Sequence, residues 1–274
     1  MEMLSGSGFK FLKSMGQSFL IDKNIPEKIV RLSGLDRSCG VLEVGPGSGI
    51  LTAELCKYAG RVTSVELDNR LLPILYDSLS AYSNVDIVHG DILKLDIRQL
   101  LSENMPGMIY HVCANLPYNI TTPALTSLIS SGVFETITVM VQREVAKRIC
   151  ASPGSPSYGA FTVFVNYYSQ PETLFDVPPE CFMPRPKVYS SVVRISLCKE
   201  KRFDQRNEAV FFRVVRAAFG QRRKTLVNAL FSVFGNTLTK SDIEGIVREC
   251  GFDPRTRGET LSIDEFARLS MYFN

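Results

Sequence analysis

Asn115-Leu116-Pro117-Tyr118 sets a carboxamide, main-chain carbonyls stiffened by a proline and an aromatic ring side by side. The tetrapeptide follows the apolar run 109–114, which reads as a buried strand, so it would stand at one edge of a sheet. Such a group can accept hydrogen bonds from an exocyclic amine while the ring stacks on a flat heterocycle. Adenine meets both demands. Asn and Pro after a strand are also ordinary turn residues, so the meaning of the tetrapeptide depends on what else converges on it.

Three earlier strand ends carry chemistry of a related kind. Residues 41–44 read as a buried strand and pass without a gap into Gly45-Pro46-Gly47-Ser48-Gly49 and the helical stretch 50–58. Glycines in such a turn let a ligand approach the main chain, and the helix behind it offers free N–H groups. The spacing is Gly-X-Gly-X-Gly, not the Gly-X-Gly-X-X-Gly of a dinucleotide site. It suits a nucleoside-amino acid such as S-adenosylmethionine, which needs room and a few polar groups instead of a phosphate cradle. A second strand, 61–68, ends on Glu66 and Asp68, about twenty residues past the glycines. There Glu66 can accept both ribose hydroxyls, and Asp68 can cap a helix over 69–80. A third strand, 85–88, leads to Gly90-Asp91, where Asp91 can accept from the amine of a cofactor adenine or can simply cap the next turn. All of these fall at the carboxyl edge, where open α/β sheets bind ligands.

Composition limits the alternatives. Apolar residues make up 45% and charged residues 22% of the 274 positions, the balance of a folded chain. No apolar run reaches membrane-spanning length, and the first residues lack a basic stretch followed by a long apolar core, so a cytoplasmic protein is expected. Seven scattered cysteines without a Cys-X-X-Cys pair read as reduced, mostly buried thiols. His89 and His111 are the only histidines, so neither a metal cluster nor a histidine base is expected. The net charge is only +3, yet residues 181–224 hold twelve Lys or Arg against three Asp or Glu. A stripe of that density is either a solvated face or a seat for a phosphate backbone.

The elements that must position these residues follow from periodicity and punctuation. Residues 13–22 read as an arm docking through Phe19 and Leu20. A helix over 26–35 is opened by Asn24 and Pro26. Beyond the tetrapeptide come a helix over 122–129, a strand over 136–141, a helix over 142–150, a loop over 152–157 and an aromatic, apolar stretch over 158–168 that is helix or strand by periodicity and is read as helix. Strands over 173–177 and 190–197 look like a closing antiparallel pair. The proline-stiffened loop between them carries Phe182, Arg185 and Lys187. The strand pattern then stops. Helices are expected over 206–219, 223–234, 242–250 and 263–272, two of them opened by capping boxes at 241–244 and 262–265. A domain boundary is placed near residue 200, dividing 1–199 from 200–274.

Seven segments taken in order resemble the ribosomal RNA adenine dimethyltransferases: residues 15–20, Glu43-Val44-Gly45-Pro46-Gly47-Ser48-Gly49, Val65-Glu66-Leu67-Asp68, Gly90-Asp91, residues 115–120, residues 182–193 and residues 219–226. The resemblance covers nearly the whole chain. One departure is Met15-Gly16-Gln17-Ser18, where the family often has Phe-Gly-Gln-Asn or Phe-Gly-Gln-His; Ser18 keeps a hydrogen-bonding group with shorter reach. The resemblance implies an α/β, class I (Rossmann-like) methyltransferase fold with a mostly parallel seven-stranded sheet, plus a small all-α C-terminal domain that binds RNA. It implies S-adenosylmethionine as methyl donor, S-adenosylhomocysteine as product and no metal. Ser18, Leu20, Gly45, Gly47, Glu66, Asp91 and Asn115 take the cofactor positions, while Asn115, Leu116, Pro117, Tyr118 and Phe182 surround the target, with Tyr118 and Phe182 sandwiching a flipped adenine. Arg185, Lys187, Arg222, Arg223 and Lys224 are expected on RNA. Residues 182–187 and 221–224 look more like the small-subunit group than the large-subunit, macrolide-resistance group. The implied activity is dimethylation of N6 on two adjacent adenines in the 3'-terminal hairpin loop of 16S ribosomal RNA, by a monomer acting on a precursor of the small ribosomal subunit.

Overall fold

The computed structural model describes residues 18–199, 208–221 and 223–273. The expected roles of residues 13–17, of the boundary at residue 200 and of Arg222 lie outside these. The strands are β1 (Phe19–Leu20), β2 (Cys39–Val44), β3 (Arg61–Glu66), β4 (Val85–His89), β5 (Ile109–Asn115), β6 (Thr136–Gln142), β7 (Ser169–Val177), β8 (Phe182–Met183) and β9 (Ser190–Leu197). The helices are α1 (Asn24–Ser33), α2 (Ile50–Tyr58), α3 (Leu72–Ser78), α4 (Ile97–Asn104), α5 (Thr121–Ser131), α6 (Arg143–Ile149), α7 (Ala160–Tyr168), α8 (Glu208–Gly220), α9 (Leu226–Phe234), α10 (Lys240–Glu249) and α11 (Ile263–Ser270).

Seven strands form one sheet in the order β4-β3-β2-β5-β6-β9-β7, and β1 pairs with β8 in a separate two-stranded ladder. From β4 to β6 every pairing is parallel; β9 runs antiparallel to β6. The expected mostly parallel, seven-stranded sheet is present. All six residues of β2 are buried, as a parallel strand covered on both faces requires. The chain winds outward from β2 through β3 to β4, then returns to lay β5 and β6 on the other side of β2. That reversal opens a crevice at the carboxyl ends of β2 and β5.

The chain divides into two compact units, neither of which is a single run of sequence. Residues up to Ala146 join Pro171–Leu197, whereas Lys147–Gln170 join the chain from Cys198 onward. The reason is packing: Tyr158, Val163 and Tyr167, on and before α7, are buried in the same core cluster as Phe211, Leu230 and Phe266. Burial of several large apolar side chains outweighs sequence proximity to the sheet.

Three expected caps change. At α1, Asp22 and not Asn24 accepts the free N–H, with Oδ1 2.9 Å from the Asn24 nitrogen. At α10 the box is Thr239 with Asp242, not Ser241 with Glu244; the Asp242 carboxylate reaches the Thr239 nitrogen at 2.8 Å. Asp68 does not cap α3, which starts at Leu72; it accepts from the nitrogen and guanidinium of Arg70 in the preceding turn. The Ser262 and Glu265 box stands as expected. Helix α4 was not foreseen, although Asp96 followed by Gln99 is a capping signal, and Asp96 indeed accepts the Gln99 N–H at 3.1 Å.

Candidate functional site

Each parallel strand delivers one polar feature to the carboxyl edge of the sheet, and a cavity of about 220 Å³ collects them. After β2, the chain turns through Gly45 at φ +69° and Gly47 at φ +60°, a left-handed backbone that favours glycine. At Gly47 a Cβ would lie 3.0 Å from the ring of Phe19, so the residue is held bare by conformation and by contact. Glu66 ends β3 only 6% exposed. Its two oxygens accept from the Asp68 N–H at 2.8 Å and the Gly47 N–H at 3.3 Å, which joins the two strand ends. Burial raises the Glu66 pKa, and these two N–H groups pull it partly back. After β4, Asp91 lines the cavity while one oxygen caps the Leu93 N–H at 3.0 Å; the expected capping and ligand-facing positions coexist.

Strand β5 supplies the far wall. Asn115, Leu116, Pro117 and Tyr118 all line the cavity. The Asn115 carboxamide has no hydrogen-bond partner among the described residues. The carbonyl of Pro117 already accepts from the Ile120 N–H at 3.2 Å and the Thr121 hydroxyl at 3.1 Å. No donor is paired with the Leu116 carbonyl among the described residues, so of the two it is the one left for a ligand. The Tyr118 hydroxyl is tied to Ser190 Oγ at 2.7 Å, which fixes the ring.

The near wall comes from the ladder of β1 with β8. Ser18, Phe19 and Leu20 line the cavity, with Leu20 opposite Phe182 and Phe19 opposite Met183. Ser18 donates its hydroxyl to the Pro184 carbonyl at 2.5 Å, so only its lone pairs face a ligand. Phe182 points its ring behind this ladder. Its side chain is 2% exposed, packs in the apolar cluster with Leu20 and Cys181, and does not line the cavity. The ring anchors the near wall from behind. Arg185 and Lys187 are exposed on the following loop, with Arg185 paired to Glu180. Arg223 and Lys224 are exposed in the helical unit.

Glu43 was missed as a separate site residue, because a charged side chain in mid-strand looked like part of the motif and nothing more. It is 1% exposed and lines the cavity. Thr52 from α2 and Ser64 from β3 both donate to its Oε2, at 2.6 and 2.7 Å. Burial pushes its carboxyl up to about 7 against those donors.

Glu43, Glu66, Asp68 and Asp91 line the cavity, and no Lys, Arg or His does among the described residues. A polyphosphate would meet acidic groups at the strand ends and no basic side chain among the described lining residues to offset them. A compact ligand with cationic groups and hydroxyls fits: carboxylates for ammonium, sulfonium and ribose, and a bare glycine turn for close approach. Among the described residues no group of His, Cys, Asp and Glu is arranged to hold a metal, and no helix is long and apolar enough to cross a membrane.

Comparison with known proteins gives the lineage. A profile described as ribosomal RNA adenine dimethylase matches residues 8–272. The chain belongs to the ribosomal RNA adenine dimethylase family. It is 46% identical over 270 residues to the ribosomal RNA small subunit methyltransferase A of Shouchella clausii, covering 98% of this chain and 91% of that one. The protein of the same name from Clostridioides difficile is 43% identical over 274 residues, covering 100% and 94%. Among solved structures, a dimethyladenosine transferase from Plasmodium falciparum superposes with a TM-score of 0.78 at 24% identity, covering 93% of this chain and 97% of that one. A 23S rRNA methyltransferase gives 0.73 at 24% identity, covering 92% and 98%. At that identity these two structures speak to the fold alone, which is the class I methyltransferase fold. As a member of the dimethylase family the chain is a methyltransferase, with S-adenosylmethionine the donor that the family implies.

Proposed function

We propose that this chain dimethylates N6 of two adjacent adenines in the 3'-terminal hairpin loop of 16S ribosomal RNA, acting as a monomer on a precursor of the small ribosomal subunit in the cytoplasm. The observation that carries the reading is the open carboxamide of Asn115 on the wall of a cavity whose other strand ends supply Glu66, Asp91 and the bare Gly45 and Gly47. Relatives named for small-subunit ribosomal RNA support the choice of RNA.

The donor, when bound, supplies an electrophilic methyl on a sulfonium. Glu66 would accept the ribose hydroxyls, Asp91 the adenine amine of the donor, and the Gly45 and Gly47 turn would leave room for its amino-acid end, with Ser18 and Leu20 closing the near side. The target amine is a poor nucleophile because its lone pair is delocalised into the ring. Asn115 Oδ1 and the Leu116 carbonyl would each accept one amine hydrogen, drawing the nitrogen toward a tetrahedral shape and aiming its lone pair into the cavity. Positioning and electrostatics carry the step. No general base is needed: the proton becomes acidic once the nitrogen is methylated and leaves to water. Tyr118 stacks on the target ring, with its tilt set by Ser190. A second transfer requires the monomethylated amine, which keeps one hydrogen, to rotate in the same pocket and donate that hydrogen to one of these two acceptors. Pro117 stiffens the turn without taking an amine hydrogen, since its carbonyl is occupied. Phe182 supports the Leu20 wall, and Arg185, Lys187, Arg222, Arg223 and Lys224 take phosphates.

The test is incubation with labelled S-adenosylmethionine and, separately, immature 30S particles, mature 50S particles and DNA, followed by mapping of the labelled base. Dimethyladenosine at adjacent positions near the 3' end of 16S ribosomal RNA is the expected product. Label on 50S particles alone overturns the reading.

A further inference from the structure

One built feature of the carboxyl edge has no part in the scheme above. The ladder of β6 with β9 ends on Gln142 opposite Ser190, and the next two residues, Arg143 and Tyr189, extend it by a main-chain hydrogen bond of 2.9 Å from the Arg143 nitrogen to the Tyr189 carbonyl. The guanidinium of Arg143 lies over the Tyr189 ring, 5.7 Å from its centroid. Arg143 is held there from the other side: its Nε is 3.2 Å from Asp176 Oδ2, and the Ser191 hydroxyl donates to Asp176 Oδ1 at 2.6 Å. Three side chains from three strand ends therefore fix one aromatic ring at the rim. Yet Tyr189 is 47% exposed, and its neighbour in sequence, Ser190, is the residue that holds the Tyr118 hydroxyl.

An isolated tyrosine with an arginine on one face is a common surface pair and contributes little by itself. Three points set this one apart. It is braced, it leaves ring surface open, and it stands one residue from the contact that orients Tyr118. Lys187, two residues away, is exposed and has no ion pair among the described residues. An aromatic face backed by a cation, with a free cation beside it, is what an unpaired nucleotide recognises: the base by stacking, the phosphate by charge.

We infer that Tyr189, braced by Arg143 and Asp176, is the stacking platform for the nucleotide next to the target adenine in the RNA substrate, with Lys187 taking its phosphate. The inference rests on the proposed function for the identity of the RNA, but not for the chemistry of the platform. It gives the enzyme a grip on two consecutive nucleotides, one in the cavity and one on the rim. Arg143 and Asp176 act through Tyr189 as positioning residues.

The test uses the full chain and a 16S 3'-terminal hairpin with 2-aminopurine placed beside the target adenine, in the presence of S-adenosylhomocysteine. Fluorescence quenching on binding reports stacking whether or not methyl transfer follows. In Tyr189→Ala the quenching should disappear and the KM for RNA rise about tenfold, the loss of one base–aromatic stack, with kcat and cofactor affinity nearly unchanged. Tyr189→Phe should restore both, and Arg143→Ala should show an intermediate loss. Quenching undiminished in Tyr189→Ala, or equal losses in the Phe and Ala variants, overturns the platform. A wild-type chain that quenches the probe but transfers no methyl to immature 30S particles overturns the proposed substrate and leaves the platform standing.

Discussion

At the scale of single residues, Asn115 and Glu43 make contrasting predictions. The Asn115 carboxamide has no partner within the described structure, so its removal breaks no internal hydrogen bond. Asn115→Ala should therefore leave the unfolding midpoint and cofactor affinity nearly unchanged while methyl transfer falls at least about a hundredfold, the usual loss for one electrostatic contact to a reacting centre. Single-turnover transfer alongside cofactor titration separates the two, and a near-normal rate would end the amine-clamp mechanism. Glu43 is the opposite case, a buried carboxyl tied to Thr52 and Ser64. Its folded pKa is raised to about 7 from an ordinary 4.5, so between those values the native state keeps a proton that the unfolded chain has lost. Stability should then be highest below the unfolded value, fall as pH rises toward 7, and level off above it. The expected decline is roughly 2 to 3 kcal/mol from this group. Glu66 is raised in the same direction and adds to it. Urea unfolding at pH 5 and pH 8 measures the slope, and Glu43→Gln, which keeps an acceptor for both hydroxyls, should remove most of it. A slope unchanged in that variant would mean that Glu43 is already ionised at low pH.

At the scale of elements, the ladder of β1 with β8 decides what Phe182 does. Its ring is 2% exposed in the apolar cluster, so Phe182→Ala leaves a large cavity and should cost about 3 to 5 kcal/mol of stability. Phe182→Leu fills most of that space and should retain both fold and activity, as read by urea midpoint and turnover. A Leu variant that is fully folded but inactive would return the ring to the substrate. The sequence made β2 and β5 legible because each is a short, mostly apolar run followed by Gly45 or ending on Asn115, a pattern set by burial on both faces. The strand-end residues Gly45, Glu66, Asp91 and Asn115 were legible for the same reason, since a strand's end fixes where its last side chain stands. Phe182 was not: an aromatic in a proline-rich loop looks exposed, and only the pairing with Leu20, separated by most of the chain, buries it. Glu43 was hidden inside a fully buried strand, where its partners Thr52 and Ser64 come from two other elements. Residues 147–170 group with the helical core through the long-range packing of Tyr158 and Tyr167, which no local pattern in the sequence marks.

At the scale of the whole molecule, charge is sorted by place. The cavity is lined by four acidic side chains without a lysine, arginine or histidine among the described lining residues, while residues 181–224 are strongly basic, so a cationic cofactor and a polyanionic substrate would each meet the sign that attracts it. The two bindings should then respond differently to salt. Cofactor affinity depends on buried carboxylates and hydrogen bonds and should change little between low and physiological ionic strength. RNA affinity should fall steeply, since each neutralised phosphate releases a counterion. Several of the basic residues are already engaged: Arg194 with Glu172, Arg185 with Glu180, and Arg213 over the Phe234 ring. Arg223 and Lys224 are exposed and have no ion pair among the described residues, which makes them the better candidates for phosphates. Replacing both with Ala should weaken RNA binding for all sequences alike and flatten the plot of log affinity against log salt by about 0.7 for each phosphate that is no longer neutralised. Cofactor affinity and the unfolding midpoint should stay as in the parent chain. An unchanged salt slope in this double variant would mean that the helical unit holds no phosphate through these two residues.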